Sequence, residues 1–186
     1  MTARLIPSGS QTVGPFFHIG LDHLIDRQQA NASAAGSIVL SGRVIEGNGA
    51  PVSDAMLEFW GADASGRYPD PAQPPNDLPS GFRRAVTDSE GRFSISIGKP
   101  GPVPLGDGQF QSPHFLVLVF ARGLLRHLIT RVYFGDERGN ESDPVLLQIP
   151  ADRRQTLVAC AAPAEAGQYH WDVVLQGESE TAFFAW

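Results

Sequence analysis

The chain has 186 residues, the size of one ordinary domain. Its 42% apolar residues can build a core, and its 18% charged residues are too few for a disordered chain. The net charge of −6, with no run of Lys or Arg, argues against nucleic acid or an anionic membrane surface as a partner.

In chain order, segment 1–19 has no long apolar run, so no signal peptide is expected. The whole of 1–35 lacks a strand or helix pattern, yet carries Phe16, Phe17, Ile19 and Leu21. Such a stretch is expected to be an arm lying on a partner chain, the alternative being a tail folded on its own domain. Residues 36–186 then form the domain. Segment 37–45 alternates and ends at the turn signal Gly47-Asn48-Gly49. Segment 52–60 ends before Asp63-Ala64-Ser65-Gly66, and 69–80 is a Pro-rich loop. Segments 82–87 and 92–97, joined by Asp88-Ser89-Glu90-Gly91, predict a hairpin. Segment 114–121 is apolar on both faces and predicts a buried central strand. Strands at 128–134 and 169–175 complete the set, and one short helix is predicted over 151–159, after Pro150, with Asp152 as its cap. Short strands at this spacing, with Gly and Pro between them, predict an all-β sandwich with a long N-terminal arm and long loops. Phe16, Phe17, Ile19, Phe183, Phe184 and Trp186 are expected outside its strands, as an apolar patch for a partner.

The usual catalytic patterns are missing. There is no G-x-S-x-G, no Gly-rich phosphate loop and no H-E-x-x-H. One cysteine, Cys160, and scattered histidines exclude a Cys/His zinc site. A single thiol makes no internal disulfide, which suits a reducing cytoplasm. His114, alone at the start of an apolar strand, reads as a core or rim histidine. Composition and spacing stop at a globular β domain with no self-contained active site.

Several stretches go further. Residues 10–21 (SQTVGPFFHIGL), 57–68 (LEFWGADASGRY), 113–123 ending in Phe120-Ala121-Arg122-Gly123, 130–134 (TRVYF) and 172–184 together resemble the protocatechuate 3,4-dioxygenase alpha-subunit family, one branch of the intradiol ring-cleavage dioxygenases. The resemblance implies an intradiol-dioxygenase-like β-sandwich and an obligate, homologous beta subunit within a higher hetero-oligomer. It also implies cleavage of 3,4-dihydroxybenzoate by O2 to 3-carboxy-cis,cis-muconate, in the beta-ketoadipate route of aromatic degradation. The family's catalytic chains hold Fe(III) with two tyrosines and two histidines, because phenolate oxygens suit a hard ion and imidazoles leave positions open for a catecholate. Here Val103 stands in the Gly-Pro-x-Pro turn where one tyrosine would be, and Leu116 replaces the second histidine of the pair begun by His114. Loop 69–80 has no tyrosine. The iron is therefore expected in the beta subunit and not in this chain, which alone would be inactive. What the resemblance assigns to this chain is one wall of the beta subunit's site. Thr12, Gly14 and Pro15 would border the aromatic ring, unless they form a simple turn into the domain. Arg122 would face the substrate carboxylate, with Arg126 and Arg131 as competitors and Arg131 the more structural. The alternative from a different class is a metal-free small-molecule carrier of sandwich fold.

Overall fold

The computed structural model describes residues 9–14, 17, 19–21, 25, 36–69, 81–162 and 165–185. Most of the expected arm, nearly all of the Pro-rich loop, Pro15, Phe16 and Trp186 lie outside them. Among the described residues there are eleven strands and four short 3-10 helices. The strands are β1 (Ser37–Ile45), β2 (Met56–Gly61), β3 (Phe82–Val86), β4 (Arg92–Gly98), β5 (Val103–Gly106), β6 (Gln109–Gln111), β7 (His114–Phe120), β8 (Leu128–Phe134), β9 (Val158–Ala161), β10 (Gln168–His170) and β11 (Val173–Val174). They run in the order β11-β1-β10-β9-β8-β7-β2-β3, with β4 also paired to β1 and with β5-β6 as a separate hairpin.

The period-two pattern explains how this sheet folds on itself. In β1, Ile38, Leu40 and Val44 point inward, and in β4 so do Phe93, Ile95 and Ile97. Facing them are Leu57 and Phe59 of β2, Phe115, Val117 and Val119 of β7, and Val132 and Phe134 of β8, all in one buried cluster. Phe59 meets Phe115 edge to face at 6.4 Å and Phe93 at 5.9 Å. Burying such alternating faces against one another is what makes two strand layers stable.

One residue turns the sheet. Ser41 is opposite His170 of β10, whereas Val44 is opposite Val173 of β11. Between them Trp171 donates its N–H to the Ser41 carbonyl at 2.9 Å, and its own carbonyl comes down on Gly42. A Cβ on Gly42 would lie 1.7 Å from that oxygen, so only a residue without a side chain lets β1 change partner here.

Four expectations need correction. The predicted 82–97 hairpin is not a ladder: β3 pairs with β2, and β4 pairs with β1 along its whole length. The turn between them is present, with Gly91 N–H donating to the Asp88 carbonyl, but the Gly91 carbonyl accepts from Val44 and draws the chain across to the other layer. The predicted helix at 151–159 is a turn, a 3-10 helix (Arg154–Leu157) without a side-chain cap, and then β9. There Val158 and Ala159 pair in parallel with Tyr133 and Phe134, so the open edge of β8 wins over local helix preference. The predicted strand 169–175 is interrupted at Trp171, as above. Finally, Phe183 and Phe184 do lie outside the strands, but they are half-buried and pack against the two core clusters instead of forming an exposed patch. No helix among the described residues is long and apolar enough to cross a membrane.

Candidate functional site

The residues that alternate away from the core in β2, β7 and β8 form a second, outer face. Across it run Trp60, Leu116 and Arg131 as direct neighbours, and His114 beside Tyr133. The chain's last segment is held to β8 by the Phe184 N–H on the Ile129 carbonyl, 2.8 Å. Between them lies a pocket of about 520 Å³, whose lining includes Trp60, Tyr68, His114, Leu116, Arg131 and Phe184. Tyr68 stacks on Trp60, 6.2 Å between ring centres.

The polar groups here are arranged from beneath. Asp143 is fully buried and accepts from the backbone of Ser112 (2.8 Å), Val145 (2.9 Å) and Leu146 (2.7 Å) and from the Tyr133 hydroxyl (3.1 Å). The Tyr133 oxygen also accepts from Arg131 at 3.3 Å, and Arg131 donates to Gln111 Oε1 at 2.6 Å. His114, 2% exposed, has its Nδ1 2.7 Å from the Ser112 carbonyl. A carbonyl can only accept, so Nδ1 carries the proton and Nε2 is the acceptor. Burial, and then the charge of Arg131, push the His114 pKa down to about 4. Burial also pushes the Tyr133 and Tyr68 hydroxyls up, so both phenols stay protonated.

These residues do not fit ferric iron. Leu116 in the lining and Val103 in the turn have no donor atoms, and the Arg131 guanidinium in the lining would repel a cation. Among the described residues no three His, Cys, Asp or Glu side chains gather as a metal site.

The depressed His114 gives a pH prediction. The usual histidine value is 6.5 and the folded one about 4, so the unfolded chain binds the proton more readily between them. The stabilisation is complete above about pH 6.5 and is lost as pH falls toward 4. That difference corresponds to about 3 kcal/mol. His114→Asn keeps a donor toward Ser112 and cannot titrate. Urea midpoints at pH 7 and pH 4 should therefore fall further for the wild type than for this variant. Equal falls would mean that His114 is protonated in the folded chain as easily as in the unfolded one.

The other candidates sit elsewhere. Thr12 Oγ1 accepts the N–H of Gly123 at 3.0 Å, and Phe17 lies 6.4 Å from Phe120 between ring centres, so this part of the arm runs along the far end of β7. Gly14 accepts the Phe17 N–H in a turn, and among the described residues, its chain neighbours aside, none lies within 4 Å of where a Gly14 side chain would begin. Arg122 pairs through Nε with Asp54 and is 63% exposed, while Asp54 is only 17% exposed. The structure thus brings Thr12, Gly14 and Arg122 to one end of β7. It separates them from His114 by the length of that strand, about 20 Å. Pro15 lies outside the described residues. Arg131 belongs to the pocket, not to the Arg122 end. Sequence reasoning missed Asp54 as the partner of Arg122 and Asp143 as the support of the pocket.

The comparisons agree with one another. The family model described as Dioxygenase matches residues 14–177. The protocatechuate 3,4-dioxygenase alpha chain of Burkholderia cepacia is 42% identical over 94% of this chain and 95% of its own length. That of Pseudomonas putida is 40% identical over 99% of each. A beta chain from Burkholderia cepacia is 30% identical over 93% of this chain and 77% of its own. Among solved structures, a dioxygenase domain from Streptomyces sp. SirexAA-E aligns with TM-score 0.60 at 25% identity, over 82% of this chain and 84% of that one. Catechol 1,2-dioxygenase from Acinetobacter sp. ADP1 aligns with TM-score 0.59 at 18% identity, over 79% and 55%, which speaks for the fold alone. By family model, by sequence over its full length and by fold, the chain belongs to the intradiol dioxygenase family, among relatives that are alpha chains of protocatechuate 3,4-dioxygenase.

Proposed function

We propose that this chain is the alpha subunit of a protocatechuate 3,4-dioxygenase, and that it works by completing a site whose Fe(III) is held by a homologous beta subunit. The observation that carries this is a separation within one fold. The pocket at the start of β7 holds Leu116 and Arg131 where a metal would need donors, while the Thr12, Gly14 and Arg122 group lies at the strand's other end. A carboxylate gripped by Arg122 belongs to a ring bound outside this chain's own pocket. Exposed apolar side chains at Ile19, Leu105, Phe110, Leu125 and Leu147 suit burial against a partner. The assembly would act in the cytoplasm, cleaving 3,4-dihydroxybenzoate with O2 to 3-carboxy-cis,cis-muconate. Iron in the partner supplies the activation of the catechol toward oxygen. This chain supplies position and charge: Asp54 holds Arg122 by Nε, which leaves the two terminal nitrogens for a carboxylate, and Thr12, Gly14 and Pro15 border the ring.

Purification of the chain alone and together with a beta subunit tests this. The chain alone should be colourless and free of stoichiometric iron, and the pair should be red-brown and active. About one iron per chain with ring cleavage by this chain alone would overturn the proposal.

In the pair, Arg122→Ala should raise KM for protocatechuate about 10- to 100-fold, the worth of a charge-assisted hydrogen bond of roughly 1.5–3 kcal/mol. The carboxylate is remote from the bond that breaks, so kcat should change little. Catechol, which lacks the carboxylate, should lose nothing. Steady-state kinetics on both substrates decide it; equal losses would make Arg122 a support of the interface instead.

A further inference from the structure

We infer that the pocket over β2, β7 and β8 is a metal-free binding site for a small aromatic monocarboxylate, separate from the site that Arg122 serves. Four observations carry this. First, the pocket's about 520 Å³ lies in the range of small-molecule sites, about 300–1,000 Å³. Second, its walls are suited to a flat ring: Trp60 and Tyr68 are stacked with their planes 16° apart, and Leu116, Ile129 and Phe184 are apolar. Third, it contains a cation without an anion. Arg131 is half-buried, and the described residues give it no carboxylate partner within ion-pair reach. Its two bonds go to neutral groups, Gln111 and the Tyr133 hydroxyl. Asp143, behind Tyr133, is already taken up by four donors. A guanidinium in an apolar pocket prefers a planar carboxylate that accepts from two of its nitrogens at once. Fourth, His114 lines the same pocket and is neutral, with its accepting Nε2 not engaged by Ser112. A ring hydroxyl can donate to it, so hydroxylated aromatic acids should bind more tightly than plain ones.

The probe is 4-fluorobenzoate, titrated onto the full-length protein purified with whatever chain accompanies it and followed by fluorine NMR. One saturable site per copy of this chain is expected in this pocket, in addition to any site that the Arg122 end forms with a partner, and Arg122→Ala should leave it unchanged. Arg131→Met should weaken that site about 10- to 100-fold, in line with the loss of a charge-assisted bond. 4-Fluorobenzyl alcohol, of the same shape without the charge, should not compete, and acetate should compete far more weakly than benzoate. Arg131 also touches Tyr133, so its removal could disturb the fold. Leu116→Trp fills the pocket while keeping the Arg131 side chain and its bond to Tyr133, and should abolish the same site while the melting temperature is kept. The inference is overturned if both variants retain every site of the wild type. It is equally overturned if the alcohol binds as well as the acid, or if acetate matches benzoate, which would reduce the site to a point charge. None of these outcomes depends on iron, on ring cleavage or on Arg122.

Discussion

Asp143→Ala should be the most damaging polar substitution in the chain, lowering stability by about 4 kcal/mol or more. The carboxylate is fully buried between two 3-10 helices, Arg138–Ser142 and Leu146–Gln148. Alanine would strand the backbone N–H groups of Ser112, Val145 and Leu146 and the Tyr133 hydroxyl. Each unpaired buried donor costs roughly 1–3 kcal/mol, less whatever relaxation recovers. The damage should also reach the pocket, because Ser112 orients His114 and Tyr133 contacts Arg131. Urea unfolding of the full chain measures it, with Asp143→Asn, which keeps one carbonyl acceptor, falling between. A loss under about 1 kcal/mol would mean that water replaces the carboxylate at no great cost.

Gly42→Ala should do still more, for a different reason. The obstruction to the new Cβ is chiefly backbone, the Trp171 carbonyl, with its oxygen at 1.7 Å and its carbon at 2.6 Å, and the Phe93 ring adds a tight contact at 3.1 Å. Relief requires β1 to part from β10 and β11, so the expected loss exceeds about 4 kcal/mol, the range in which single substitutions unfold a domain. The full chain should then be recovered insoluble or with its cooperative unfolding transition gone. Gly98→Ala is the matched control: it lies at the end of β4 with nothing within 4 Å of its Cβ position, and should be nearly neutral. Equal behaviour of the two variants would show that the Trp171 carbonyl can move aside.

The parts of the fold that could be read from sequence were those where a local pattern and a tertiary need coincide. β1 and β8 fall on the predicted bounds 37–45 and 128–134, β1 through clean alternation toward one buried face and β8 through apolar residues that fill both core clusters. The apolar run of β7 ends one residue early, at Phe120. The 151–159 helix failed because Leu157 and Ala159 satisfy either period, and the free edge of β8 decided between them. The 82–97 hairpin failed because its turn is real but its ladders lie elsewhere; turn chemistry fixes a reversal, not the partner. In the site, the missing donors at Val103 and Leu116 were visible as letters. Arg131 as a cation in the pocket was not, although residues 116 and 131 would have been placed side by side by any correct register of β7 on β8. The pairing of Asp54 with Arg122 and the four bonds of Asp143 join segments far apart in the chain, and no local rule reports them.

The way β1 finds its partners has a consequence for how the protein is made. Ser41 of β1 bonds to Tyr169, 128 residues further along, and the Arg43 N–H to Asp172, 129 residues further. The parallel edge of this strand is thus reserved for segments synthesised about 128 residues later. At a translation rate of about 5–20 residues per second, β1 waits several seconds with that edge exposed. β4 can cover its other edge early, but the layers cannot close until residues 168–174 have left the ribosome. Such late, long-range closure is slow and open to strand pairing between chains. Expression should therefore be sensitive to temperature and crowding, and truncations near residue 168 should aggregate even though the pocket strands β2, β7 and β8 are complete.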